Sequence, residues 1–425
     1  MQNRSMNRRA FLQSAVSTLA APYVITTSAL GANRRLSASE RLVLGAIGCG
    51  GQGSRHIAGG IWVQGGGYLS KPDVQVVAVC DVNKNNLKRI TGQVNQRYDN
   101  QDCKAYHEYE ELLARDDIDI ILCATGDRWH TPISIAAAKA GKDIYCEKPI
   151  SLTVYEAREL ARAMRRYGRI FQTGTQQRSW HEFRFACELV RNGYIGDVKA
   201  IKVNVGGPPE ECYLPAGGAV PDWLDYDRWL GQAPWRPFHP DLLGWMRWKD
   251  YSGGEMTNWG AHMFDIAQWG MGMDESGPVE IIPADGKDYP YLTYRYANDT
   301  VMTHQAISRS SPGVRFEGTK GFVEVSRDHL ISQPENLIRQ TIGPNEIHLY
   351  ESKNHPDNFL ECVRTRKRPA SSADVGYRSH TVCHLGNIAY WLKRPLQWNP
   401  AQEQFVNDPE ADRMLWREMR SPWQI

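Results

Sequence analysis

Six consecutive residues, Ile144-Tyr145-Cys146-Glu147-Lys148-Pro149, set a carboxylate beside an ammonium at the end of a short apolar run. In an open parallel sheet the carboxyl ends of the strands face the ligand crevice, so Glu147 and Lys148 are delivered to where chemistry is done. Pro149 fixes its own φ and keeps Lys148 out of the helical region, which stiffens the turn. A plain surface lysine after a strand is the competing reading. A second stretch, 251–265, holds Asn258 and His262 four residues apart. A helix over 256–269 puts both on one face and sets Asp265, three residues beyond His262, to orient the imidazole. Imidazole exchanges a proton near neutral pH. Asn can hydrogen-bond a hydroxyl but cannot take its proton. A purely structural histidine bonded to Asp265 is the alternative.

A third stretch concerns phosphate. Residues 42–47 read as a buried strand and run directly into Gly48-Cys49-Gly50-Gly51-Gln52-Gly53. Gly48 permits the tight turn, Gly50 lets the backbone approach a pyrophosphate, and Gly53 lets helix pack on strand. The helix N-terminus then faces the phosphates, with Gly51 and Gln52 in its first turn. The next strand, 74–79, ends at Cys80-Asp81. An acid there accepts both ribose hydroxyls and repels a 2′-phosphate, which favours NAD over NADP. From Gly53 to Asp81 is 28 positions, and the Gly-rich insert 59–71 explains why this exceeds the usual ~20. An Asp that only caps the following helix is the alternative.

These residues need a scaffold. A helix over 108–115, a strand over 118–123, the loop Thr125-Gly126-Asp127-Arg128-Trp129-His130 and a helix to Ala140 follow in order. Then come a strand at 143–146, a helix at 154–167 and a strand at 170–173. Repeated βα units of this length predict a doubly wound parallel sheet. Its crevice edge offers Thr125, Asp127, Trp129, His130, Glu147, Lys148 and Gln176 to the dinucleotide, beside the glycine loop and Asp81. After Arg178 a helix at 180–191 leads to short strands at 198–205, 291–295, 300–307, 313–318 and 321–325. They predict an antiparallel sheet with one face turned to the crevice. A chain of 425 residues is too long for one core, so two domains are expected, 33–175 and 176–425.

Seven of the 14 tryptophans lie between Trp223 and Trp269, around an irregular loop at 234–244. Aromatic rings beside polar groups suit the C–H faces of sugars, and Trp245 is the candidate contact. Packing of the loop accounts for about half of these rings. His380 and His384, i and i+4, could grip a metal, but no third ligand stands near them in the sequence, and no metal site is assigned. The tail 399–425, with Trp416 and Trp423, reads as a docking arm.

Nine dispersed cysteines without a Cys-x-x-Cys pair read as buried thiols. Asn7-Arg8-Arg9-Ala10-Phe11-Leu12 and a weakly apolar run to Gly31 read as a twin-arginine signal over 1–32, with a chance Arg pair in an ordinary secretion signal as the alternative. Its removal takes Arg4, Arg8 and Arg9 and moves the net charge from +2 to −1. Such a balance argues against nucleic-acid and membrane-surface partners. No membrane span is expected in the mature chain.

Gly48-x-Gly50-x-x-Gly53, Asp81, His130 ahead of Ala140-Gly141-Lys142-Asp143, and Glu147-Lys148-Pro149 stand in an order and spacing similar to the Gfo/Idh/MocA family of glucose–fructose oxidoreductase and inositol dehydrogenase. The resemblance covers nearly the whole chain after the signal. It implies an N-terminal Rossmann domain and a C-terminal α+β domain with a large, open, mostly antiparallel sheet that also pairs subunits as a dimer or tetramer. It implies bound NAD, the lysine matching Lys148 at the substrate, and an acid–base histidine matching His262. Where the family pattern has Asp, this chain has Asn258. The expected activity is oxidation of a secondary hydroxyl of a sugar or glycoside by hydride transfer. Lys148 would stabilise the alkoxide and His262 accept the proton, while Asn258, His130, Arg178 and Trp245 hold the ring. Two alternatives stand beside it. One is loss of a glycosidic bond by elimination after transient oxidation at C3. The other is a sugar- or nucleotide-binding protein without turnover, which Asn258 would suit. Export in a folded state implies that NAD is carried along and retained.

Overall fold

The computed structural model describes residues 36–425 apart from 62 and 310. The signal stretch lies outside the described residues. Strands β1 (Leu42–Ile47), β2 (Val74–Cys80), β3 (Lys104–Tyr106), β4 (Ile120–Cys123), β5 (Asp143–Cys146) and β6 (Phe171–Thr173) form one sheet. Their order is β3-β2-β1-β4-β5-β6, and every pairing is parallel. A sheet covered on both faces needs strands apolar throughout, and all four residues of β4 are fully buried. Helices α1 (Gly51–Ala58), α2 (Lys84–Tyr98), α3 (Tyr109–Leu113), α4 (Asp127–Lys139) and α5 (Val154–Tyr167) lie between the strands. Their ends are set by local chemistry. The Asn83 side chain accepts from the amides of Asn85 and Asn86, and Thr153 accepts from Glu156, which starts α2 and α5. The doubly wound sheet expected from the sequence is present. The three residues of β3 carry too little pattern to be seen in advance.

Helix α6 (His181–Arg191) leads into β7 (Val198–Asn204) of a second sheet. The chain then runs through α7 (Tyr226–Leu230), α8 (Glu255–Asn258), α9 (Gly260–Met271), β8 (Glu280–Ile282), β9 (Leu292–Arg295), β10 (Val301–His304), β11 (Gly313–Gly318), β12 (Gly321–Ser326) and β13 (Leu330–Gln333). It ends with α10 (His355–Thr365), α11 (Ala373–Leu392), β14 (Leu396–Asn399), β15 (Gln404–Phe405) and α12 (Pro409–Arg413). The nine strands run β13-β12-β11-β7-β10-β9-β8-β14-β15, antiparallel except for the β7–β10 pair. This is the mostly antiparallel sheet expected.

The halves share a core. Phe359, Leu360 and Val363 of α10 pack with Leu44, Val76, Leu122 and Tyr145 of the parallel sheet. The Gln172 side chain in β6 donates to the His355 carbonyl at 2.6 Å, and α11 lies along α5. Helices from the end of the chain therefore complete the cover of the nucleotide half.

Candidate active site at the carboxyl edge of the parallel sheet

The glycine turn has the geometry a dinucleotide needs. Gly48 has φ +89°, and a Cβ there would lie 2.5 Å from the Ala124 carbonyl oxygen. A Cβ on Gly53 would sit 1.9 Å from the Gly48 oxygen. Among the described residues the nearest atom to a Cβ on Gly50 is 4.0 Å away, and at Gly51 nothing lies within 4 Å. The first and third glycines are forced by the chain's own packing, whereas the backbone at Gly50 and Gly51 faces open space where a pyrophosphate fits. Asp81 ends its strand as expected. Its carboxylate accepts from the amides of Cys49 and Asn83, each at 2.7 Å, and burial raises its pKa.

A cavity of about 410 Å³ opens here, walled by Gly48, Gly50, Gly51, Gln52, Asp81, Thr125 and Trp129. Its far wall is Trp223, Trp229 and Trp245. Residues 223–251 hold themselves together through Leu224, Tyr226, Leu230, Phe238, Leu242, Trp248 and Tyr251. They are pinned by main-chain bonds from Lys84 N to Trp223 O (2.8 Å) and from Asp225 N to Val82 O (3.0 Å). Arg128 donates through Nε to the Trp229 carbonyl at 3.0 Å and stacks over the Trp229 ring. The Trp129 indole donates to the Arg228 carbonyl at 3.1 Å. The C-terminal tail closes over this. Arg420 binds Asp227 at 2.6 Å, and Trp423 meets Trp129 edge to face at 5.7 Å. Of the seven tryptophans, Trp223 and Trp229 thus face the nucleotide cavity, Trp245 faces both it and the next, and Trp235 is exposed.

An adjoining cavity of about 390 Å³ holds the polar groups: Asp127, His130, Glu147, Lys148, Gln176, Asn258 and His262, with Arg55, Arg327, Trp245 and Trp259. Gln52, Thr125 and Trp245 line both cavities. Lys148 Nζ donates to Asn258 Oδ1 at 2.5 Å and to the Asn258 carbonyl at 3.3 Å. Burial pulls the Lys148 pKa down. The Asn258 amide nitrogen donates in turn to Glu255 at 3.1 Å. Burial would raise the Glu147 pKa, but the hydrogen bond from His56 Nε2 (2.6 Å) and its charge outweigh this and hold Glu147 at about 2.

Several expected roles change. The helix read over 256–269 is two helices, α8 and α9, joined at Trp259. Asn258 and His262 still share the cavity, but Asp265 does not orient His262. Its carboxylate accepts from Arg178 Nε (2.7 Å) and Nη2 (2.8 Å) and from the Ser379 hydroxyl. Arg178 also grips Asp274 at 2.7 Å, is 2% exposed, and lines neither cavity. It is a buried ion-pair hub and does not hold a sugar, because two carboxylates on and beyond α9 claim its guanidinium. His130 does not position a ring either. Its Nδ1 and Nε2 face the carbonyls of Pro149 (2.6 Å) and Thr125 (3.1 Å), so it ties the loop before α4 to the Lys148 turn. His380 Nε2 accepts from the Ile150 amide at 3.1 Å, and His384 bonds the Ser151 hydroxyl at 3.2 Å. Both bolt down the segment after Pro149. Gly53 serves packing and lies behind the cavity wall.

His262 accepts at Nε2 from Arg327 Nη2 at 3.2 Å, which places its proton on Nδ1. Burial, then the Arg327 and Lys148 charges, hold its pKa well below 6.5. It is a neutral hydrogen-bonding group and a poor proton acceptor, contrary to the role drawn from the sequence. Arg327, in the turn after β12, was missed: its guanidinium lies 4.7 Å from the Trp259 ring centre, and nothing local in the sequence marks it.

Comparison with known proteins places this architecture. Residues 43–175 match the family model described as oxidoreductase family, NAD-binding Rossmann fold. Residues 214–425 match the model for the C-terminal alpha/beta domain of the same family. The chain belongs to the Gfo/Idh/MocA oxidoreductase family. It is 25% identical to an uncharacterised oxidoreductase, YrbE, of Bacillus subtilis over 84% of this chain and 97% of that protein. It is 26% identical to myo-inositol 2-dehydrogenase of Thermotoga maritima over 50% of this chain and 51% of that enzyme. It is 30% identical to a glycosyl hydrolase family 109 protein of Saccharopolyspora erythraea over 38% of this chain and 34% of that protein. In fold it matches the aldose-aldose oxidoreductase of Caulobacter crescentus with a TM-score of 0.57, at 19% identity, covering 84% of this chain and 99% of the other.

Proposed function

We propose that this NAD-binding oxidoreductase acts on a secondary hydroxyl of a sugar or glycoside and keeps its cofactor between turnovers. The observation that carries the reading is the placement of Lys148. It stands in a charged compartment continuous with the nucleotide cavity, its ammonium aimed by Asn258. Bound NAD supplies the hydride acceptor. Gly50, Gly51 and Asp81 would hold its pyrophosphate and ribose, and the carboxylate of Asp81 favours NAD over NADP. Lys148 stabilises the charge that develops on the sugar oxygen. His262 lines the same cavity as a neutral imidazole, and Trp245 and Trp259 offer ring faces to the sugar's C–H bonds. The relatives named for inositol and for aldose support a polyol or sugar.

A second reading, elimination of a glycosidic bond through a transient ketone, is favoured by the cover over the nucleotide cavity. Residues 223–251, held by the tail, wall the cavity and would hinder exchange of the dinucleotide, and a redox-neutral net reaction would regenerate it in place. Export by the twin-arginine route, as the Arg8-Arg9 signal suggests, poses the same requirement, since the protein would fold around NAD first. Subunits would pair through the open face of the nine-stranded sheet; among the described residues no helix is long and apolar enough to span a membrane.

Mass spectrometry of products from a panel of free sugars and glycosides tests this reading. Loss of two hydrogens marks net oxidation, and a released aglycone without net oxidation marks elimination. A panel left unchanged, with dinucleotide bound, would return the chain to a binding role. Protein heat-denatured after purification without added NAD should release close to one dinucleotide per chain. Protein that purifies empty and works on micromolar NAD would overturn retention.

A further inference from the structure

We infer that Asp127 is the group that takes the proton of the substrate hydroxyl. The inference rests on the oxidoreductase reading of the site. The reaction releases a proton, and the groups first in line for it are committed elsewhere. Asn258 has no basic atom. The Nε2 lone pair of His262 points at a guanidinium. The ring nitrogens of His130 face two backbone carbonyls. Glu147 is held as a strong acid by His56. Lys148 donates to two oxygens of Asn258 and is needed as a cation.

Asp127 differs from all of these. It is the first residue of α4, lines the same cavity as Lys148, and is 2% exposed. Its Oδ2 accepts from the Ser252 hydroxyl at 2.8 Å. The Gly254 amide donates to that same hydroxyl oxygen at 3.1 Å, which leaves the Ser252 proton directed at Asp127. With the Ser252 hydroxyl and its own amide as donors, the carboxylate keeps lone pairs for a sugar hydroxyl. Ser252 and Gly254 belong to the loop that leads into α8, which carries Asn258. The base is therefore completed by the same segment that aims Lys148.

The charged groups around Asp127 are Lys148, its neighbour Arg128, Glu147, Arg55 from α1, and Arg327 from the turn after β12. Burial raises the Asp127 pKa to about 7, with Ser252, Lys148 and Arg128 opposing. A base with that affinity is matched to neutral pH. In the step, the O–H bond breaks and its proton goes to an Asp127 oxygen. The C–H bond of the same carbon breaks with its electron pair, and the hydride passes to the nicotinamide of NAD⁺, leaving a carbonyl and NADH. Reduction runs the same path backwards, with Asp127 returning the proton.

The test uses the full chain and follows nicotinamide absorbance in a single turnover with each sugar of the panel, from pH 5 to 9. Asp127→Asn should keep close to one dinucleotide per chain, yet slow hydride transfer by ~100-fold or more and lose the rise in rate through pH ~7. Asp127→Glu should recover part of the rate. Ser252→Ala leaves the carboxylate in place and guards against a folding defect in the first variant. Removing that donor should move the midpoint of the pH profile upward while the rate at high pH survives. Loss of dinucleotide from Asp127→Asn, or a rate within about threefold of the parent, overturns the inference, as does an unmoved midpoint in Ser252→Ala. If no sugar changes the absorbance of the parent protein, the reading of the site falls and the inference with it. A parent response that Asp127→Asn preserves removes the inference alone.

Discussion

The two adjoining cavities are built on opposite principles. The nucleotide cavity is made of bare backbone at Gly50 and Gly51, one carboxylate at Asp81, the side chains of Arg128 and Arg228, and a wall of indole rings. The reaction cavity has Arg55, Asp127, Glu147, Lys148 and Arg327 within a similar volume. A dinucleotide needs shape, amide donors and a covered surface, and these work without any change of charge. A proton and a hydride that move within one step need groups whose charge is poised, and burial beside fixed partners supplies that. On the proposed function the nucleotide cavity holds and the adjoining cavity reacts, and the two roles should separate under mutation.

The largest separation is expected at Lys148. Lys148→Ala should lower turnover at least ~100-fold with circular dichroism unchanged, because the ammonium that stabilises the transition state is removed, and the bonds it also makes to Asn258 join helix to turn without building the core. Near-normal turnover would make Lys148 a bystander in the turn. Asp81→Ala should act in the opposite sense. Affinity for NAD should fall and its margin over NADP narrow, with single-turnover hydride transfer in the loaded enzyme little changed. An unmutated protein that already prefers NADP would show the ribose assignment to be wrong.

The cover of the nucleotide cavity gives a smaller effect. Arg420→Ala combined with Trp423→Ala removes the tail's grip on Asp227 and Trp129. Dinucleotide release, followed by dilution into a trap enzyme, should quicken several-fold while the sugar reaction keeps its pH profile. Equal release rates would mean that residues 223–251 cover the cavity unaided. The smallest effect is expected at His262. Its pKa lies well below 6.5, so it stays neutral through the range in which Asp127 titrates. His262→Asn should cost only a few-fold in rate and leave the rise through pH ~7 in place. If that limb disappears with His262, the histidine is the base and the electrostatic reading of the cavity fails.

The contrast also explains what could be read in advance. The glycine turn, Asp81, the strand at Asp143–Cys146 and the helix at Val154–Tyr167 are local objects. Each is fixed by residues within a few positions of one another, through φ restrictions, capping and apolar runs, so order and spacing sufficed to find them. That Lys148 stands at a strand end and that Asn258 and His262 lie on one side are likewise consequences of short-range geometry. The helix at Ala373–Leu392 escapes such a reading because most of its residues are buried, which leaves little amphipathic pattern.

The amino-acid sequence alone determined the class of fold, the dinucleotide turn and the lysine at the crevice. Tertiary structure decided the rest, because it depends on which distant groups meet out of water. Arg178 became a structural ion-pair hub only when Asp265 and Asp274 closed on it. His130 and His380 became bolts on the Lys148 turn through bonds to backbone atoms 19 and 230 positions away, and His384 through the Ser151 hydroxyl 233 positions away. Arg327 reached His262 across 65 positions, and Ser252 reached Asp127 across 125. Burial, with the charges and donors met there, then set the proton affinity of these groups, and both belong to the folded chain.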